Sequence, residues 1–130
     1  MRILIAGGQA PNRAALRLLL GERRALEVAA EATDSTELLA KLSAGSCDVV
    51  LLDWELPGLP AADLLSALHR LYERLSVIVL SGRPELEAMA RAAGADAFFS
   101  MCDPPKRLVE TLQALGERSL EARDAAADDG

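Results

Sequence analysis

Five times in 130 residues a short apolar run gives way to a longer segment with helical spacing. The runs lie at 2–6 (RILIA), 26–31 (LEVAAE), 48–52 (DVVLL), 76–80 (SVIVL) and 97–100 (AFFS). The first, third and fourth are almost wholly apolar, as strands covered on both faces must be. The second alternates, with Leu26, Val28 and Ala30 set against Glu27, Ala29 and Glu31, which fits an edge strand with one wetter face. Helices are expected at about 11–22, 35–44, 60–72, 84–93 and 104–121. This alternation admits few architectures, because parallel strands need crossovers, crossovers are right-handed, and helices must cover both faces. The expected fold is an α/β doubly wound parallel sheet. The order 2-1-3-4-5 places the alternating second strand at an edge.

The punctuation agrees with this frame. Pro11, Pro60, Pro84 and Pro104 each stand where a first helical residue would be, a position that needs no N–H donor. Asp34-Ser35-Thr36-Glu37 has the spacing of a capping box. Gly21, Gly45 and Gly94 fall where the first, second and fourth helices should stop. Leu16, Leu19 and Leu20 form one apolar stripe and Leu108, Leu112 and Leu115 another, which leaves Leu18 off the buried face of the first helix. Residues 121–130 carry one positive and four negative charges and no large apolar side chain, so a disordered acidic tail or linker is expected to follow a single domain at 1–120.

Charge and composition exclude several classes. With Lys+Arg at 14 and Asp+Glu at 20, the net charge is -6, and the basic surface that DNA or RNA requires is missing. No apolar run approaches a membrane span, and the opening Met1–Ile5 is too short for a signal peptide. Cys47 and Cys102 do not make a disulfide framework, and with one His in the chain they do not make a zinc site. They read as small buried fillers in a protein of the reducing cytoplasm. His69, beside Arg70 late in the third helix, reads as a solvated surface residue.

In a doubly wound sheet, sites form beyond the carboxyl ends of the central strands. The first strand runs into Ala6-Gly7-Gly8-Gln9 and the third into Asp53-Trp54-Glu55-Leu56-Pro57-Gly58. The fourth runs into Ser81-Gly82-Arg83-Pro84 and the fifth into Ser100-Met101-Cys102-Asp103. The string G-G-Q-A-P-N lacks the G-x-G-x-x-G spacing of a phosphate-cradling loop and reads as a strand-to-helix turn.

Four stretches, in order, carry a resemblance. They are R-I-L-I-A-G-G-Q-A-P-N-R-A-A-L-R-L-L-L at 2–20, D-V-V-L-L-D-W-E-L-P-G at 48–58, V-I-V-L-S-G at 77–82 and G-A-D-A-F-F-S at 94–100. Together they resemble the receiver domain of bacterial two-component response regulators. The double proline at 104–105 is similar to the LuxR-type subgroup. The resemblance implies a flavodoxin-like (βα)5 fold. It implies that Asp53 is the phosphoacceptor position, Ser81 the switch hydroxyl, and Phe98 the switch aromatic, here without a phenol hydroxyl. The backbone carbonyl of Glu55 would be a magnesium ligand.

Three positions depart from the family pattern. Gly7 and Gly8 replace two adjacent acidic residues, and Met101 replaces a lysine. Phosphoryl transfer to a carboxylate needs a hard cation to spread charge, and magnesium wants oxygen ligands that include one or two carboxylates. In this reading Asp53 is the only carboxylate, and Met101 is expected to plug the emptied pocket. Asp53 would then serve only to hydrogen-bond nearby backbone, Ser81 to cap its strand, and one of Phe98 and Phe99 to fill the core.

The expected function is that of an atypical receiver that catalyses no turnover and binds no cofactor. Its partner would be a sensor kinase, a downstream effector or a second copy of itself, with no nucleic acid and no membrane. Three alternatives stand beside it. One is a phosphorylatable receiver using magnesium at Asp53. Another is a receiver gated by a small ligand. The third is the regulatory half of a LuxR-type transcription factor.

Overall fold

A computed structural model describes the backbone of residues 1–128 and the side-chain surroundings of residues 1–118. The elements in chain order are β1 (Arg2–Ala6), α1 (Ala10–Gly21), β2 (Glu27–Ala32), α2 (Ser35–Ala44), β3 (Val49–Asp53), α3 (Ala61–Leu71), β4 (Ser76–Ser81), a 3-10 turn (Pro84–Leu86), α4 (Glu87–Ala92), β5 (Ala97–Ser100) and α5 (Pro105–Asp128). The strands form one parallel sheet in the order β2-β1-β3-β4-β5.

Strand periodicity divides the core in two. Leu4, Ala6, Val50, Leu52, Val77 and Val79 point to the face covered by Leu38 of α2 and by Leu64, Leu65 and Leu68 of α3. Ile3, Ile5, Val49, Leu51, Ile78 and Leu80 point to the other face, under Leu16 and Leu20 of α1 and Leu108 and Leu112 of α5. Each fully buried side chain of this size stabilises the fold by about 1.5–3 kcal/mol relative to exposure. Phe98 and Phe99 obey the same alternation: Phe99 is core on the α1–α5 side, and the half-buried Phe98 packs on the other.

β2 lies at the edge, but its alternation does not persist. The pairing register with β1 shifts between Ile3 and Leu4, so that Val28 pairs with Ile3 and Ala30 with Leu4. Ala29 is the extra residue of a β-bulge. Val28 and Ala30, on one face by simple alternation, therefore pack against opposite faces of the sheet.

The helix boundaries correct several expectations. Pro84 opens a 3-10 turn, which leaves α4 with only six residues. Pro60 and Pro104 stand one residue before α3 and α5, and Pro11 is the second residue of α1. Asp34 caps α2, its carboxylate accepting from the Glu37 N–H at 2.7 Å. Glu37 does not return the bond and pairs instead with Lys41 at 3.3 Å. Of the expected stop glycines, only Gly94 takes the left-handed conformation, with φ +113. α5 runs past its expected end near 121 to Asp128. The side chains of 119–128 and all of 129–130 lie outside the described residues; of the acidic tail expected at 121–130, only the helical backbone of 121–128 is described.

His69 is not a solvated surface residue. It is half-buried, and its Nε2 is bonded to the Gly94 carbonyl, so the ring must carry its proton there. A Cβ on Gly94 would lie 3.0 Å from His69 Cδ2, so the glycine serves both the backbone conformation and the close approach of α3.

Two aspartates close the amino edge of the sheet. Asp48 accepts from the Arg2 N–H and Asp96 from the Val77 N–H, each at 2.7 Å. Val77 is fully buried and Asp96 is exposed beside it, so Asp96→Ala deprives the Val77 N–H of its charged acceptor. The expected loss is about 1–3 kcal/mol of unfolding free energy. Urea denaturation of variant and parent measures it, and an unchanged midpoint would refute the assignment.

Candidate functional site

The parallel register aligns the carboxyl ends of the central strands. Ala6 lies opposite Leu52, Asp53 opposite Leu80, and Ser81 opposite Ser100. Three of these strands end with the same local device, in which a side-chain oxygen accepts from the N–H two residues on. Asp53 Oδ1 accepts from Glu55 N at 2.9 Å, Ser81 Oγ from Arg83 N at 3.0 Å, and Ser100 Oγ from Cys102 N at 3.2 Å. Each strand therefore turns sharply outward, leaving a hollow between the loops.

That hollow has a volume of about 150 Å³. Of the residues expected at the site, the structure brings Gly7, Asp53, Glu55, Ser81 and Met101 to its wall. Gly8 and Phe98 are not part of it. Phe98 packs on the α3 side of the sheet. Ser81 is buried and Asp53 half-buried. Met101 lines the hollow but is 42% exposed, so it flanks the opening and does not plug it. A larger cleft of about 1620 Å³ opens at the amino edge, near Cys47 and Tyr72, away from Asp53.

The two glycines differ. A Cβ built on Gly7 would sit 3.9 Å from Asp53 Cβ and 4.0 Å from Asp53 Oδ2, in ordinary contact. Gly7 thus leaves space that a side chain would occupy directly against Asp53. A Cβ on Gly8 would sit 3.1 Å from Pro57 Cδ, because the β3–α3 loop packs onto it. That loop is further held by α2: Ser35 Oγ accepts from Leu59 N at 2.9 Å, and Ser35 N donates to Pro57 O at 2.9 Å.

Arg13 was not singled out by the sequence. Its side chain is 16% exposed; Nη1 donates to the Gly7 carbonyl at 2.7 Å and Nε pairs with Glu31 at 3.2 Å. Arg17, one helical turn on, reaches the same glutamate at 3.3 Å. The i, i+4 spacing of the two arginines was legible, but their shared partner on the neighbouring strand was not. On the other rim, Arg83 pairs with Glu55 at 3.1 Å.

Toward magnesium the hollow offers the Asp53 carboxylate without the adjacent acidic pair of the family pattern. Asp53 is the one carboxylate at the wall that is free of an arginine, since Glu55 faces Arg83. Among the described residues there is no group of three His, Cys, Asp or Glu side chains able to hold a metal ion. The cysteines also depart from expectation. Cys102 is exposed at the rim, and Cys47 is half-buried. Burial pushes the Cys47 thiol above its ordinary pKa, and the thiol donates to the Val49 carbonyl at 3.1 Å.

Comparison with known proteins adds the following. The family model described as response regulator receiver domain matches residues 3–113. The chain is 33% identical over 128 residues to protein-glutamate methylesterase/protein-glutamine glutaminase 5 of Myxococcus xanthus, covering 97% of this chain and 37% of that protein. It is 31% identical over 121 residues to the phosphate regulon transcriptional regulatory protein PhoB of Escherichia coli, covering 90% of this chain and 52% of that protein. The chain thus spans about half the length, or less, of these relatives. Its fold is similar to the isolated receiver domain of RcsB from Salmonella enterica serovar Typhimurium, with TM-score 0.83, 24% identity and coverage of 90% and 88% of the two chains. It is likewise similar to the receiver domain of the NarL regulator from Mycobacterium tuberculosis, with TM-score 0.79, 24% identity and coverage of 89% and 95%.

The loop geometry yields a paired test. Gly58 has φ +111, and a Cβ there would fall 2.0 Å from Ser35 Oγ. Gly58→Ala is expected to destabilise the protein by about 1–3 kcal/mol, since the strained conformation and the clash add. Gly7→Ala has room and is expected to be neutral or stabilising by up to about 1 kcal/mol. Urea unfolding of both variants distinguishes them; equal effects would refute the contrast between vacated space and packed loop.

Proposed function

This chain belongs to the response regulator receiver family, whose model covers residues 3–113, and on that premise we propose that it is an atypical receiver working without magnesium-dependent phosphorylation of Asp53. The observation that carries this reading is the wall of the hollow. Asp53 stands there with Gly7 in place of a neighbouring acid and Met101 in place of an ammonium. A phosphoryl group on Asp53 would bring about -2 of additional charge. Its formation needs a cation to stabilise the charge on the transferring group. The arginines at the rim are already engaged, Arg13 by Glu31 and Arg83 by Glu55.

In this reading Asp53, Ser81 and Phe98 are inherited positions of the phosphoacceptor and switch, and Gly7, Gly8 and Met101 are the altered ones. Output is a protein–protein contact with a sensor kinase, a downstream effector or a second copy, in the cytoplasm and without turnover or a resident cofactor. Leu18 on α1, at 75% exposure, supports a contact made through that helix. No helix among the described residues is long and apolar enough to cross a membrane.

A second reading is favoured by the coverage of the relatives. The matched region is 37% of a methylesterase and 52% of a transcriptional regulator. The chain would then be the regulatory part of a longer regulator, the output lying elsewhere, and the coding sequence beyond codon 130 decides it.

The central test uses acetyl phosphate and magnesium. After incubation with both, the intact mass is expected to stay unchanged, and Trp54 fluorescence is expected to show no saturable response to millimolar magnesium. A stable gain of one phosphoryl group, lost in Asp53→Asn, would overturn the proposal.

A further inference from the structure

We infer that the hollow at Asp53 is a site for a compact organic monocation, an ammonium or guanidinium head on a short alkyl stem. The inference rests on the reading that Asp53 is not a magnesium-dependent phosphoacceptor, and it assigns the same pocket a ligand chemistry. Asp53 Oδ1 is held by the Glu55 N–H. Oδ2 faces the space above Gly7, 4.0 Å from where a Cβ would lie. Among the described residues no ion pair reaches Asp53. Of the nearby arginines, Arg83 pairs with Glu55, and Arg13, itself on the wall, shares Glu31 with Arg17. The Asp53 carboxylate therefore stands at the wall of the hollow without a direct ion-pair partner.

Charge and size choose the ligand. An anion would meet the Asp53 carboxylate, and a divalent metal would find one unpaired carboxylate, one negative charge against its two. A single positive charge balances a single negative one. The walls supply the rest: Met101, with the buried Ile5, Leu16 and Leu80 behind it, presents carbon to a stem, while Gln9 and Asn12 present amides at the rim. Apolar walls of this kind favour an organic cation over a hydrated inorganic one. At about 150 Å³ the hollow is smaller than the roughly 300–1,000 Å³ of drug-sized pockets, so it fits a head and a few carbons. The head could arrive as a free amine or as a lysine side chain of a protein partner.

The test follows backbone amides of the ¹⁵N-labelled chain by NMR. The probes are n-propylammonium for the free amine and N-acetyl-lysine methylamide for the side chain. Sodium chloride at equal ionic strength and n-propanol, the neutral analogue, are the controls. The amides of Gly7, Gly82 and Met101 are expected to shift saturably with the cations, at about millimolar half-saturation, and not with the controls. The tighter of the two probes identifies the source. Asp53→Asn is expected to weaken binding at least tenfold. Gly7→Val fills the space without changing charge and is expected to do the same with the melting temperature retained. Shifts that never saturate, that propanol reproduces, or that survive Asp53→Asn would overturn the inference. An acetyl phosphate incubation read by intact mass separates the two ideas. A phosphoryl gain defeats the underlying reading, whereas unchanged mass with silent amides defeats the cation site alone.

Discussion

The site depends on the hydrogen-bond register between β1, β3, β4 and β5. Parallel pairing allows no independent choice of where each strand ends. Once Ile3 pairs with Val49 and Val49 with Ser76, the carboxyl ends are carried to a common edge. Gly7, Asp53, Ser81 and Met101 are distant in sequence and meet because three ladders run in step. The aspartates at the opposite edge, Asp48 and Asp96, serve the same end, since each satisfies an N–H at the start of a neighbouring strand. A slip of one residue in any ladder would turn a buried row of valines and leucines outward, so the two-sided core enforces the register.

The strand ends use one local solution, a side-chain oxygen bonded to the N–H two residues on, at Asp53, Ser81 and Ser100. These bonds rely on nothing outside their own loops. The loops stay formed even though the residues around Asp53 depart from the family pattern. The surroundings have adjusted unequally. At Gly8 the loop carrying Pro57 has closed onto the backbone, whereas at Gly7 the space stays open. The open side is bounded by Arg13, whose bonds to the Gly7 carbonyl and to Glu31 tie α1 to the ends of β1 and β2. The result is a small polar hollow around a carboxylate without an ion-pair partner, flanked by Arg83 on Glu55 and by Arg13 and Arg17 on Glu31.

Much of this was legible in the chain. Five apolar runs separated by helical segments specified the parallel sheet and its order, because alternation and crossover handedness leave few other solutions. The site positions were legible for the same reason: residues that follow strands in such a sheet collect at one edge. Helix starts and stops were read to within a residue or two at most ends. α5 was the main exception, continuing to Asp128 where composition implied fraying.

Tertiary structure decided what local pattern cannot carry. The bulge at Ala29 split Val28 and Ala30 between two faces, because pairing with β1 and not the spacing within β2 sets the phase. His69 was drawn from an apparent surface position onto Gly94 by the packing of α3 against the turn before β5. Gly7 and Gly8 are identical letters side by side, yet one leaves a vacancy and the other a contact, since that depends on where Pro57 lies. Arg13 entered the site through Glu31, a residue on another strand. The sequence by itself determined the sheet, its edge and the residues gathered there, because these follow from periodicity along the chain. Only the folded structure decided which side chains touch, because contact depends on register and loop closure between segments far apart in sequence.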